Sequence, residues 1–217
     1  MSERELRIRL DAARARLERA LNPLTPEEAR GASEAVLAAE RSLAAYLGQP
    51  HAIPLDFPVK WDFGGGAPLP CLLSNDRKTF LLFHLADPRP GGSSIAVVDS
   101  GDAIPRKMAA VEFKRCLSAK MGTPNDEVLE GHPLHGKGLE PYRPLSVVNS
   151  PWIKELETIN SVHSQYRPEH WKNLHHYIFG FKDRIFECVA QSFVVEELST
   201  GREATVAAIC RRMGLTE

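Results

Sequence analysis

Cysteine is scarce and never clustered: Cys71, Cys116, Cys188 and Cys210 are scattered through 217 residues without one CxxC pair. That spacing excludes a zinc knuckle or a redox dithiol motif, and separate reduced thiols are expected. Long apolar runs are missing too. Stretches such as residues 80–83 are a handful long, whereas about 20 residues are needed for a helix to span a bilayer, so no membrane partner is expected. No run of five like charges occurs, and 27 basic against 28 acidic side chains leave a formal charge of -1. Such a balance gives DNA or RNA no electrostatic footprint. Residues 1–10 carry Glu3, Arg4, Glu5, Arg7 and Arg9 with no apolar stretch behind them. The core of a secretory signal is therefore lacking, and a cytoplasmic location is expected.

What is present is an ordinary globular composition, 43% hydrophobic and 25% charged. A chain of this size buries roughly 70% of its unfolded surface in one or at most two domains, so neither disulfides nor metal staples are required. Residues 1–50 stand apart from the rest. They are rich in Ala, Leu, Arg and Glu, hold no His, Cys, Trp or Phe, and have Tyr46 as their one aromatic. Leu6, Leu10, Ala13 and Leu17 recur with helical period, Asn22-Pro23 interrupts, and Thr25-Pro26-Glu27-Glu28 reads as a capping box with proline at N1. A second stripe follows at Ala32, Val36, Ala39, Leu43 and Leu47, closed by Gly48. The segment is expected to be a helical hairpin. A pair this small must bury its stripe, either on the body of the chain or on a second copy as a homodimer arm of residues 1–48.

From residue 55 onward, proline and glycine punctuate shorter periods, and strands are expected at 57–63, 71–74, 79–85, 94–99, 109–121 and 142–148. Ser150-Pro151 predicts an N-cap with proline at N1, opening a buried helix over 151–163. Residues 175–181 and 184–195 predict a long hairpin turning at Lys182-Asp183. Thr200-Gly201-Arg202-Glu203 predicts a capped last helix closed by Gly214. The fold class is therefore α+β: a helical hairpin on a largely antiparallel sheet or sandwich of about eight strands, with a C-terminal helix. The arm and a body over 51–217 together form a single domain.

All eight histidines lie beyond residue 50, six of them between His132 and His176. A two-residue loop at Lys182-Asp183 sets the hairpin register, pairing Ile178 with Glu187 and His176 with Val189. Parity then places His176 and Glu187 on one face, diagonal to each other, with the aromatics Tyr177, Phe179, Phe181 and Phe186 on the opposite one. His163 follows Trp152 by eleven positions, nearly in phase on a helix, and is expected to point toward the sheet. His132 and His135 sit in a Gly- and Pro-rich loop at 131–138. Convergence of His132, His163, His176 and Glu187 would make a general acid–base or metal-assisted site. The plainer alternative is that each is a packed, hydrogen-bonded histidine, since HxxH in a loop lacks the helical HExxH spacing that specifies zinc. Cys116 and Cys188 are possible nucleophiles, although Cys188 falls on the aromatic face, where a thiol packs as a small hydrophobe. Gly64-Gly65-Gly66 lacks the Lys-Ser/Thr of a phosphate loop, and Pro124-Asn125-Asp126-Glu127 reads as a solvated turn.

Trp61-Asp62, the stretch from Phe113 to Glu127, Gly131-His132-Pro133-Leu134, Asn149-Ser150 with Trp152, and Phe181 through Phe186-Glu187-Cys188 resemble a group of uncharacterised bacterial proteins over residues 55–195. That group carries His where this chain has Lys182. The resemblance implies a bacterial cytosolic protein and no particular chemistry. Two classes of function follow from the residues. One is a small-molecule enzyme in which His176 and Glu187 transfer protons or bind a ligand, positioned by His163 and His132. The other is a non-catalytic ligand- or partner-binding protein using the arm and the aromatics Trp61, Trp152 and Trp171.

Overall fold

The computed structural model describes residues 1–60, 69–85 and 107–215. Two helices open the chain, α1 over Glu3–Leu21 and α2 over Pro26–Tyr46. Ser2 caps α1 in a reciprocal capping box with Glu5, an N-terminal signal that the apolar stripe alone does not reveal. Leu10 packs against Val36 and Ala39, so the two stripes bury one another. The α2 helix also docks on the body, beside strand β1 (His51–Pro54).

Nine strands form two antiparallel sheets among the described residues. The first runs β1, β6 (Pro144–Val148), β7 (His175–Gly180), β8 (Ile185–Ala190), β5 (Ser118–Gly122). The second runs β2 (Cys71–Ser74), β3 (Thr79–His84), β4 (Met108–Lys114), β9 (Ser192–Leu198). The expected strand over 109–121 is in fact two strands, and so is the second arm of the hairpin over 184–195. Lys114 pairs with Ser192 in one sheet, while Ser118 pairs with Val189 in the other. Three residues of one chain segment (Arg115, Cys116, Leu117) thus face two of the other (Ala190, Gln191), which is a bulge. Arg115 adopts φ +49 there. A bulge sharpens twist and bends the ribbon, so both segments pass together from one sheet to the other. Alternation alone could not reveal this, because the apolar pattern resumes in phase on the far side of the corner.

The sheets face each other across an aromatic core. Phe83, Val111 and Phe113 from the second sheet meet Tyr177, Phe179, Phe186 and Cys188 from the first. Phe113 alone lies 5.2–6.3 Å from the rings of Tyr177, Phe179, Phe186 and Phe193. Phe57 reaches the same core at 5.3 Å from Phe179, but from a loop: residues 57–60 are not a strand, and the remainder of the expected strand over 57–63 lies outside the described residues, as does 94–99. The outer face of the second sheet is covered by α4 (Arg202–Met213) through Ile209 and Met213. Gly201, not Thr200, is the N-cap of that helix, and the Thr200 hydroxyl meets that of Thr205 instead.

The outer face of the first sheet carries Ala52, Leu145, Val147, Ile178 and Ile185, capped by Leu134 and Leu139 from the loop over 123–143. The helix expected over 151–163 is shorter. This helix, α3, spans Pro151–Asn160 and lies against β7 with none of its residues fully buried. No helix among the described residues is long and apolar enough to cross a membrane.

Candidate active site

The hairpin forms in the register its two-residue loop requires, with Ile178 opposite Glu187 and His176 opposite Val189. Phe181 N–H donates to the Arg184 carbonyl at 2.8 Å and closes the turn. Strand parity therefore sends His176 and Glu187 to the outer face, away from the aromatic core, and the two side chains meet directly. His176 Nε2 lies 2.9 Å from Glu187 Oε2. On the opposite side of the ring, His176 Nδ1 lies 2.9 Å from the hydroxyl of Ser150, which also accepts a hydrogen bond from Ile153 N–H at 3.2 Å as the N-cap of α3. A carboxylate, an imidazole and a hydroxyl are thus joined in series.

Glu187 is nearly buried, and both of its oxygens face proton donors. Lys120 lies opposite it on β5, with Nζ 2.8 Å from Oε1, and His132 Nε2 stands 3.8 Å from the same oxygen. Burial opposes ionisation of Glu187, but His132, His176 and Lys120 together outweigh it and hold the carboxyl well below the usual carboxylate range. An ionised Glu187 accepts from His176 and fixes the hydrogen on Nε2. In the neutral ring Nδ1 is then the lone-pair nitrogen, and the Ser150 hydroxyl donates to it. His132 Nδ1 accepts from Leu134 N–H at 3.2 Å, which leaves its hydrogen on Nε2, facing Glu187 across a gap longer than a hydrogen bond.

A cavity of about 660 Å³ opens over this network, lined by His132, His176, Glu187, Lys120, Trp152 and apolar neighbours such as Val147 and Leu134. Trp152 forms one wall, with its ring 5.1 Å from that of His176 and 4.8 Å from Lys120 Nζ. Volume and lining are those of a small-molecule site: mostly apolar, with a few convergent polar groups. The far wall is the loop over 123–143, and it is tied down at several points. Asp126 N–H donates to the Lys182 carbonyl and Tyr142 N–H to the Gly180 carbonyl, while the Tyr142 hydroxyl donates to the Asp126 carboxylate. Burial and that carboxylate push the Tyr142 phenol up to about 12. Asp126 is therefore engaged, not a solvated turn residue.

The arm holds the other end of the same loop. Arg41 of α2 donates to the carbonyls of Ala52 and Gly138, each at 2.9 Å, and pairs with Glu140 at 2.7 Å. Glu40 accepts from Gly138 N–H at 3.2 Å. Gly138 has φ +82, and a Cβ there would lie 2.5 Å from Arg41 Cγ and 2.6 Å from the Ala52 carbonyl oxygen. Only glycine admits so close an approach.

Of the four residues expected to converge, the fold brings together His132, His176 and Glu187. His163 lies elsewhere. The α3 helix ends three residues before it, the chain turns, and His163 is exposed, with Nδ1 accepting from Gln165 N–H at 3.1 Å. The helical phase that aimed it at the sheet does not extend that far. His135 is exposed as well, and the Gly64-Gly65-Gly66 segment and Trp61 lie outside the described residues. Sequence reading assigned no chemistry to Ser150 or Lys120. Ser150 reads as an N-cap and is one, but the same hydroxyl serves the imidazole. Lys120 faces Glu187 only because the corner at Arg115 resets the register. Cys188 is buried in the aromatic core, where burial and Cys116 raise its pKa. A hydrogen bond from Cys188, helped by Thr79 and Ser118 and opposed by burial, lowers Cys116 to about 7. Neither thiol lines the cavity; Ser150 is not a lining residue either, but it adjoins three that are, Pro151 and Trp152 in sequence and His176 by hydrogen bond.

Among the described residues no group of three or more His, Cys, Asp or Glu side chains is arranged to hold a metal ion. No protein-family model, no curated protein and no solved structure matches the chain. The functional reading therefore rests on the site itself.

Proposed function

We propose that the protein is a small-molecule enzyme of the hydrolytic, acid–base type, with its reaction in the cavity over the first sheet. The observation that carries this reading is the His176 imidazole, held 2.9 Å from a carboxylate on one nitrogen and 2.9 Å from a hydroxyl on the other. Glu187 orients the ring and stabilises the imidazolium, His176 Nδ1 takes the proton, and the Ser150 oxygen, which reaches the cavity edge beside the lining residues Pro151, Trp152 and His176 as its bond to His176 gives way, attacks an electrophilic carbon of the substrate. The proton then passes from Nδ1 to the departing alcohol or amine, and water repeats the sequence to release the acyl group. The two ring nitrogens exchange the roles they have in the familiar serine triad, where the carboxylate takes Nδ1. Lys120, whose ammonium holds Glu187 with one of its three hydrogens and lines the cavity, is the cation available to a substrate oxygen. The N-terminus of α3, beginning one residue after Ser150, favours developing negative charge beside it.

An organophosphonate ester that labels nucleophilic serines tests this without knowledge of the substrate. The expected result is a mass increase on the peptide containing Ser150, absent in Ser150→Ala and slowed about 100-fold or more in His176→Gln, the scale of a general base. Gln is chosen over Ala because a truncated His176 leaves Glu187 and Ser150 without their partner. Labelling that is absent from Ser150, or equally fast in His176→Gln, removes the reading. A second reading, a non-catalytic ligand-binding pocket, is favoured by one specific feature: every polar atom of His176 and Glu187 is already engaged inside the protein. It predicts no serine labelling, together with a melting temperature that rises when a cavity ligand is added.

A further inference from the structure

A second, smaller cavity of about 200 Å³ lies where the chain leaves α3, and its walls carry cationic side chains and hydrogen-bond donors. Arg115 comes from the bulged corner between β4 and β5, and Arg167 from the turn that follows α3; His163, His170 and Trp171 complete much of the lining. None of its lining residues is Asp or Glu, and none of these two arginines and two histidines takes part in an ion pair among the described residues. Two nearby carboxylates, Glu157 and Glu169, act on Tyr166, and Glu157 is engaged by the Tyr166 hydroxyl at 2.6 Å.

We propose that this cavity is an anion site for the phosphoryl group of a small phosphate monoester. In a chain of net charge -1, two guanidinium-bearing residues lining one hollow, with no ion-pair partner among the described residues, are a local excess of positive charge. Their planar forks match phosphate oxygens in pairs. His163 has its Nδ1 occupied by Gln165 N–H, so the neutral ring carries its hydrogen on Nε2 and adds a donor. Gln165 supplies a further amide group to the lining, whereas that of Asn160 already donates to the Leu156 carbonyl at 2.8 Å. The donors outnumber what the two oxygens of a carboxylate can accept and suit the three terminal oxygens of a monoester. The carbonyl end of α3 opposes an anion here, but with about half a negative charge against two full positive ones. Trp171 offers a flat apolar wall for a small substituent on the ester oxygen. Arg115 is placed by backbone geometry that also turns the sheet corner, so its position is set by the fold.

Isothermal titration calorimetry of the full chain with inorganic phosphate, phenyl phosphate and acetate tests the proposal. Saturable phosphate binding is expected, about tenfold weaker in Arg167→Ala and again in Arg115→Asn, a residue that tolerates the left-handed backbone. Phenyl phosphate is expected to bind more tightly than phosphate, and Trp171→Ala to cancel that difference. Ser150→Ala is expected to leave all three titrations unchanged, which separates this site from the cavity over the first sheet. Thermal melts of the arginine variants that match the parent show that lost binding is not lost folding. Absence of saturation at millimolar phosphate, affinity indifferent to both arginines, or acetate binding as tightly as phosphate overturns the assignment.

Discussion

Replacing Gly138 by alanine tests the claim that the arm clamps the wall of the cavity over the first sheet, and Gly136 two residues earlier is its matched control. Both glycines have positive φ, +69 at Gly136 and +82 at Gly138. An alanine at either position meets the left-handed backbone penalty of about 1–2 kcal/mol, partly offset by about 0.4–1 kcal/mol because the unfolded chain is less free. At Gly136 nothing lies within 4 Å of the added Cβ, so the net loss is about 1 kcal/mol. At Gly138 the added carbon would meet Arg41 Cγ and the Ala52 carbonyl oxygen at distances that no real Cβ tolerates. Relief requires Arg41 to withdraw, which breaks its bonds to Ala52 and Gly138. Charge-assisted bonds of this kind contribute about 1.5–3 kcal/mol each, so with the backbone loss a total of about 4–7 kcal/mol is expected for Gly138→Ala. For a chain of this length, about 2–4 °C is lost per kcal/mol, giving a fall in Tm of about 8–28 °C against about 2–4 °C for Gly136→Ala. Differential scanning calorimetry of the two variants side by side is the assay. Equal Tm values would refute the reasoning, because they would mean that crowding by the arm contributes nothing.

Three further outcomes are expected. The depressed pKa of Glu187 stabilises the folded protein above the ordinary carboxylate value near 4.5 and ceases to do so as pH falls from there toward the folded value. Glu187→Gln should therefore narrow the gap to the parent as the buffer is acidified below pH 4.5, as read by urea midpoints at a series of pH values; a constant gap would contradict it. Iodoacetamide should alkylate Cys116 first among the four thiols, with a half-maximal rate near pH 7, and Cys188→Ala should move that midpoint upward. Mass mapping of the alkylated peptides decides this. Phe113→Ala removes the ring at the centre of the aromatic core and should lower stability by about 3–5 kcal/mol, visible as a lower denaturation midpoint with no change in slope.

How much of this was legible beforehand differs from element to element. The hairpin at Lys182-Asp183 was readable down to its register, because a two-residue loop leaves strand pairing little freedom and parity assigns every face. That is why the contact between His176 and Glu187 could be anticipated. The arm was equally plain, its stripes being long and periodic. The corners at Arg115 and Gln191 were hidden, because a single extra residue changes sheet membership without disturbing the apolar alternation around it. With them went the pairing of Lys120 with Glu187. His163 was misplaced because helical phase was extended past the point where α3 stops: the C-cap is Ser161, and no glycine or proline in Ser161-Val162-His163 marks that end. Ser150 shows another limit: a side chain that caps a helix is recognised as a cap, and its second partner, 26 positions away, is set only by tertiary packing.

The ribbon that bends at Arg115 has a consequence for how the molecule comes apart. Because β4 and β5 are continuous through one side of the bend, and β8 and β9 through the other, neither sheet can dissolve without tearing the edge of its neighbour. Amides of Val111 in one layer and Cys188 in the other should then exchange with deuterium at the same limiting free energy, through a single global opening. The two layers share one thermodynamic fate.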